Sequence, residues 1–368
     1  MIRNEYIPKT FYHPCKTLSE KLEELEMGTK EFAIRTGKPE KTITAILSGK
    51  SSITSEMAIL FENVLKIPAK FWLRSQANFD EACAREKRTL TIQEAIEWAK
   101  NFPYSEMAKF NWVKSTKKIE EKVIELFSFF GVASKSGWEN YYLNSKLKVA
   151  FRISLKSTKK PEALSAWLRA GELQAENLIV KQYNEELLKH KLVELKKIMN
   201  IPTNEYFTIL QKTLSEIGIK LVYTPCLTNA PINGSTRWHK DNPIIQLSGR
   251  RKQNDIFWFT LFHEIGHILL HGKKDIFLED IEYDDKDAEK EKEADEFAAD
   301  FLLNKNQETE LLNDFPISNQ KIQYYATKFD VHPAIIIGRL HHKKLIHYSV
   351  GREFIENIEI HIDNAKIQ

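Results

Sequence analysis

Asp255-Ile-Phe-Trp-Phe-Thr-Leu-Phe-His-Glu-Ile-Gly-His-Ile-Leu-Leu270 is a strongly apolar run with His263-Glu264-Ile265-Gly266-His267 set into it. The pattern predicts a helix over Asp255–Leu270. Residues four apart share a helix face, so both imidazoles can reach one ion. Glu264, one position on, can take a proton from a water that zinc has acidified, without itself being a ligand. Phe257, Trp258 and Phe259 on one side and Ile268, Leu269 and Leu270 on the other bury the helix and fix the ligand rotamers.

Two imidazoles need a third ligand. Ala294–Leu303 reads as a second apolar helix whose inward stripe is Phe297, Ala298, Phe301 and Leu302. Glu293 lies four residues before Phe297, on that face, and is the expected ligand. Glu296 is the second choice, Asp300 a partner that orients a ligand. His271 continues the spacing from His267, but a further turn carries it about 6 Å along the axis, so an orienting role or a helix end is expected.

Phe259–His271, followed by Glu293–Leu302, resembles the ImmA/IrrE family of zinc metallopeptidases, and Gly234–Trp238 and Pro243–Ser248 resemble the segment before its metal helix. The likeness spans roughly Thr203–Leu345. It implies a zincin-like body, Zn2+ on His263, His267 and Glu293, Glu264 as general base, and a protein substrate; several members cleave a helix-turn-helix repressor. Asn304 departs from the proline often found after the Leu-Leu pair. Tyr324, Tyr325 and His332 are the candidates for oxyanion stabilisation.

Residues from His13 to Ser75 read as a helical unit. Leu18, Leu22 and Leu25 have helical spacing, Gly28-Thr29 and Gly37 punctuate, and Glu40–Leu47 follows Pro39. His13-Pro14, Phe32-Ala33, Gly37, Ile43, Ile46-Leu-Ser-Gly-Lys50 and Phe71-Trp72 resemble the XRE-type helix-turn-helix of HigA-like antitoxins. The likeness implies a third helix in the major groove of operator DNA, with Glu40, Lys41, Thr42 and Thr44 at base edges, Lys38 and Lys50 near phosphates, and a homodimer on a two-fold site. Glu23, Glu24 and Glu26 on the first helix oppose DNA, and protein docking is the competing role.

The 368 residues and 42.9 kDa allow two or three domains. Their formal charge of +3 excludes a general polyanion-binding coat. Cys15, Cys83 and Cys226 are scattered and odd in number, fitting a reducing cytosol, and no apolar run is long enough for a membrane span. The expected organisation is a helix-turn-helix head over 1–80, a helical middle region over 81–202 and a metallopeptidase body over 203–368. Within the middle region a strand is expected at Lys148–Leu155 and helices at Glu162–Ala170 and Ala175–Met199. The expected fold is mainly α with a small α+β part. The expected function is a cytoplasmic DNA-binding regulator with a zinc endopeptidase domain that cleaves a repressor, another regulatory protein or itself. The alternative is an antitoxin-type repressor, partnered by a cognate toxin, whose metal domain is a sensor or docking surface.

Overall fold

A computed structural model describes residues 12–145, 161–201, 205–251, 253–271, 277–278, 285–358 and 360. The chain forms two compact units, Met1–Glu94 and Ala95–Gln368, and is mainly α with a small sheet.

The first unit holds α1 (Cys15–Glu24), α2 (Thr29–Thr36), α3 (Glu40–Leu47), α4 (Ser55–Leu65) and α5 (Ala69–Glu94). Gly37 adopts φ 66°, the left-handed cap that ends α2, and Pro39 precedes α3, so a three-residue turn joins them. Thr54 accepts the Met57 N–H to start α4. Leu18, Phe32, Ile43, Ile46, Phe61 and Trp72 are fully buried in its core. α5 contains neither Gly nor Pro and runs on well past the expected end of the head.

In the second unit, α6 (Ile96–Lys100), α7 (Tyr104–Lys109), α8 (Ile119–Phe130) and α9 (Lys135–Trp138) lead into a π-helical turn at Glu139–Ser145. Trp98, Phe102, Phe130 and Trp138 interlock there, three of the ring pairs edge to face and Phe102–Phe130 tilted. α10 (Pro161–Glu176), α11 (Glu185–Lys197) and α12 (Tyr206–Ile217) follow, then β1 (Lys220–Tyr223), β2 (Gly234–His239) and β3 (Asn242–Leu247). Next come α13 (Asn254–Leu270), β4 (Phe277–Leu278), α14 (Asp285–Leu302), α15 (Lys305–Asn313), α16 (Asn319–Phe329) and α17 (Pro333–His342). The sheet order is β1-β3-β2-β4, with β1 parallel to β3 and the other pairs antiparallel.

The sheet lies between α10 and α13. On one face Thr236 donates to the Glu264 carbonyl of α13 at 3.1 Å. From the other, Arg237 donates to the Leu168 carbonyl at 3.0 Å and Gln246 to the Trp167 carbonyl at 2.8 Å, both on α10. Trp167 in turn donates to Thr224. The approach is close enough that a Cβ on Gly171 would meet the Gln246 side chain at 2.1 Å. Lys196 of α11 donates to the carbonyls of Phe301 and Leu302, satisfying the C-terminal end of α14. Part of the expected middle region therefore packs directly on the sheet and on α14.

Other expectations shift in detail. A single helix over Ala175–Met199 is broken at 177–184, because Asn184 caps a new helix by accepting the Leu187 N–H at 2.9 Å. The strand expected at Lys148–Leu155 lies outside the described residues. Asn304, at the proline position of the resembled family, forms a capping box with Gln307 that starts α15.

Candidate metal centre

α13 carries its polar residues in a nearly all-apolar setting, with Phe257, Trp258, Leu261, Phe262, Ile265 and Ile268 in the main core. His263, Glu264 and His267 are 1%, 0% and 1% exposed. Burying three such groups costs several kcal/mol unless partners compensate, and for the two imidazoles partners come from α14. At the crossing a Cβ on Gly266 would lie 3.0 Å from the Phe297 ring and 3.3 Å from the Ala294 Cα. Ala294 and Ala298 are fully buried. Small residues on both helices thus bring the two axes together.

The third group at the imidazoles is Glu291. His263 Nε2 and His267 Nε2 are 2.9 Å apart, and the Glu291 carboxylate stands 3.2 Å from the first and 3.5 Å from the second. These three can offer one ligand atom each to a common ion. Tetrahedral zinc with bonds near 2.1 Å needs ligand atoms about 3.3 Å apart, so the triangle fits. The electrostatics fit too. Burial pushes His267 down to about 4, which keeps its imidazole neutral. Burial opposes charge on Glu291, but the two imidazoles facing it outweigh burial and hold the carboxyl down to about 2. Two neutral nitrogens and one carboxylate suit a divalent cation.

Glu293, the ligand expected from sequence, is not at this point. It is about half exposed and accepts from His271 Nε2 at 3.0 Å. The stripe centred on Phe297 misleads because Phe297 is on the flank of the contact, whereas Ala294 and Ala298 form its centre. The face that contains them also contains Glu291 and Asp295, at spacings of three and four. Small residues facing Gly266 were the available signal. Glu296 instead pairs with Lys292 at 3.7 Å.

Further groups fix the imidazoles. Asp295 accepts from His263 Nδ1 at 2.8 Å, leaving the Nε2 lone pair for an ion. Glu293, which can only accept, holds the His271 Nε2–H. His271 Nδ1 then accepts from His267 Nδ1 at 3.0 Å, which again frees Nε2. Asp295 and His271 fill the orienting role that the sequence suggested for Asp300 and His271.

Glu264 lies beneath the N-terminal end of β2, where a Cβ on Gly234 would meet its Oε1 at 2.4 Å. The absent side chain makes room for the carboxylate. A cavity of about 760 Å³ opens in front of the site, lined by His263, Glu291, Phe259, Ile256, Ile335 and Arg339 among others. Tyr324, Tyr325 and His332 do not line it. Tyr325 donates to Asp314 at 2.8 Å and His332 caps α17 through the Ala334 N–H.

On the head, Glu40, Lys41 and Thr44 are exposed at the start of α3, Thr42 is half-buried, and Lys50 is exposed beyond its end. Lys38 is engaged with Glu56 at 2.6 Å.

Residues 214–341 match the IrrE N-terminal-like domain of the M78 peptidases. The match contains α13 and α14. Among solved structures the chain is similar to an antidote protein of a plasmid maintenance system from Nostoc punctiforme, at 26% identity over 23% of this chain and 92% of that one, with a TM-score of 0.23. It is also similar to an addiction module antidote protein of the HigA family from Coxiella burnetii, at 30% identity, 23% and 92% coverage and a TM-score of 0.22. The curated proteins give no match. No helix among the described residues is long and apolar enough to cross a membrane.

Proposed function

We propose that the chain is a cytoplasmic regulator joining a DNA-binding head to a zinc-dependent endopeptidase, with His263, His267 and Glu291 as zinc ligands. The observation that supports this most is the convergence of those three groups beside a fully buried Glu264, inside the M78 match. Zinc supplies Lewis acidity that polarises a peptide carbonyl and makes a water easier to deprotonate. Glu264, held under Gly234, takes the proton and returns it to the leaving amine. Asp295 and the Glu293–His271 pair keep the imidazoles in the tautomer that presents Nε2.

The substrate is a protein, such as a repressor, and the head carries Lys41, Thr44 and Lys50 to operator DNA as a homodimer. The support for the head is the α2–turn–α3 arrangement with those side chains exposed. Elemental mass spectrometry of the purified chain tests the centre. About one zinc per chain is expected, lost in His263→Ala, whereas failure to take up zinc on reconstitution overturns the peptidase reading. Glu264→Gln should keep the zinc and abolish cleavage, trapping the substrate.

A further inference from the structure

We propose that the cleft takes an acidic peptide segment, holding an apolar side chain beside the metal centre and carboxylates about three residues further along, to one side of the scissile bond. The proposal rests on the peptidase reading and names its substrate class.

The cavity at the metal centre does not end there. A second cavity of about 730 Å³ shares Arg251, Asp255, Ile256, Gly338 and His342 with it, so the two form one trough along the seam of α13 and α17. The trough changes character along its length. At the metal end its apolar wall is Phe259, Ile256, Ala299, Leu302 and Ile335. The charges there are engaged: Asp295 with His263, Glu296 with Lys292, and Arg339 and Lys343 with Glu308. The far end is lined by Arg251, Arg352, His341, His342 and His347, with Asp255 as the one carboxylate among the described lining residues.

Arg251 and Arg352 are exposed and form no ion pair with any described residue. Asp255 is largely buried under Gly338, where a Cβ would stand 2.8 Å from its Oδ2, and burial raises its pKa. Even ionised, it is one carboxylate against two guanidiniums among the described lining residues, so the far end keeps a positive balance. A guanidinium binds a carboxylate through paired N–H groups, and two of them select an acidic segment over a neutral one. From Ile335 to His342, seven residues of α17 rise about 10 Å, the span of three extended residues. Continuity with the metal centre makes a peptide the occupant.

The test uses the zinc-loaded full chain carrying Glu264→Gln and fluorescent ten-residue peptides. Each has a central leucine and either Asp/Glu, Gln or Lys residues three positions away. The acidic peptide is expected to bind about tenfold tighter than the Gln peptide in anisotropy titrations, an advantage that falls as salt rises. In Arg251→Glu/Arg352→Glu the preference should pass to the Lys peptide, and both sites are exposed, so an unchanged thermal melt confirms folding. Equal binding of acidic and Gln peptides, or a preference that survives the double substitution, overturns the proposal. So does arginine-dependent binding of inorganic phosphate without peptide binding, which would make the far end a small-anion site. Wild-type cleavage of the same peptides separates the two readings. Cleavage without acidic preference overturns only the trough. Arginine-dependent acidic binding without any cleavage overturns only the peptidase.

Discussion

At the scale of single residues, the two glutamates of α14 separate binding from support. Glu291→Ala should reduce zinc to near zero per chain, because it removes the proposed third ligand, a carboxylate that both imidazoles face. Glu293→Gln should retain zinc but weaken its affinity about 10- to 100-fold, as expected for a group that acts through another histidine. Competitive chelator titration distinguishes the two, and equal losses would place Glu293 on the metal itself. Gly234→Ala gives a different outcome. A methyl group there runs into the Glu264 carboxylate, so cleavage should fall at least about 100-fold with zinc content unchanged. The His263–Glu264–His267 group was legible in sequence because one helical repeat contains it. Glu291 was not, since its position depends on which face of α14 meets α13, and that is settled by Gly266 and Ala294 together.

At the scale of elements, the crossing of α13 and α14 is the part that holds the site in place. Gly266→Leu should push the helices apart, costing about 1–3 kcal/mol of stability and much of the zinc affinity. A denaturant melt followed with metal content checks both effects, and a stable variant with full zinc would show that the crossing can relax. Most helices here could be read from their caps. Gly37, Thr54 and Ser318 act locally, and the structure uses them as caps for α2, α4 and α16. β2 could not be read in the same way. Gly234, Ser235, Thr236 and Arg237 lack the usual strand character and are strand because β3 pairs with them on one side and β4 on the other. The break at 177–184 was missed for a related reason, as apolar residues continue through it at near-helical spacing.

At the scale of the molecule, the body depends on residues that carry no chemistry. α10 covers the sheet face opposite the metal helix and receives the buried Arg237. A fragment over 203–368 would expose that face and leave Arg237 without the Leu168 carbonyl that it donates to, whereas 95–368 retains its cover. The longer fragment should unfold cooperatively by circular dichroism, while the shorter should aggregate or resist folding. Two equally cooperative fragments would show that α10 is dispensable. This dependence was invisible in sequence because the α10–sheet contacts join residues some 60 to 80 positions apart, as in Trp167–Thr224 and Trp167–Gln246.

Ala294, Asp295, Ala298 and Glu291 share one helical face, and that gives the site a phase. Each residue turns the helix by about 100°, so an alanine inserted between Lys292 and Glu293 leaves Ala294, Asp295 and Ala298 against their partners. It rotates Glu291 away and brings Lys292 into its place. An ammonium then faces the two imidazoles instead of a carboxylate, and the chain should fold as before with no zinc bound. Length in α14 is therefore as strict a requirement as composition: a one-residue insertion should empty the site with every proposed ligand still present in the sequence.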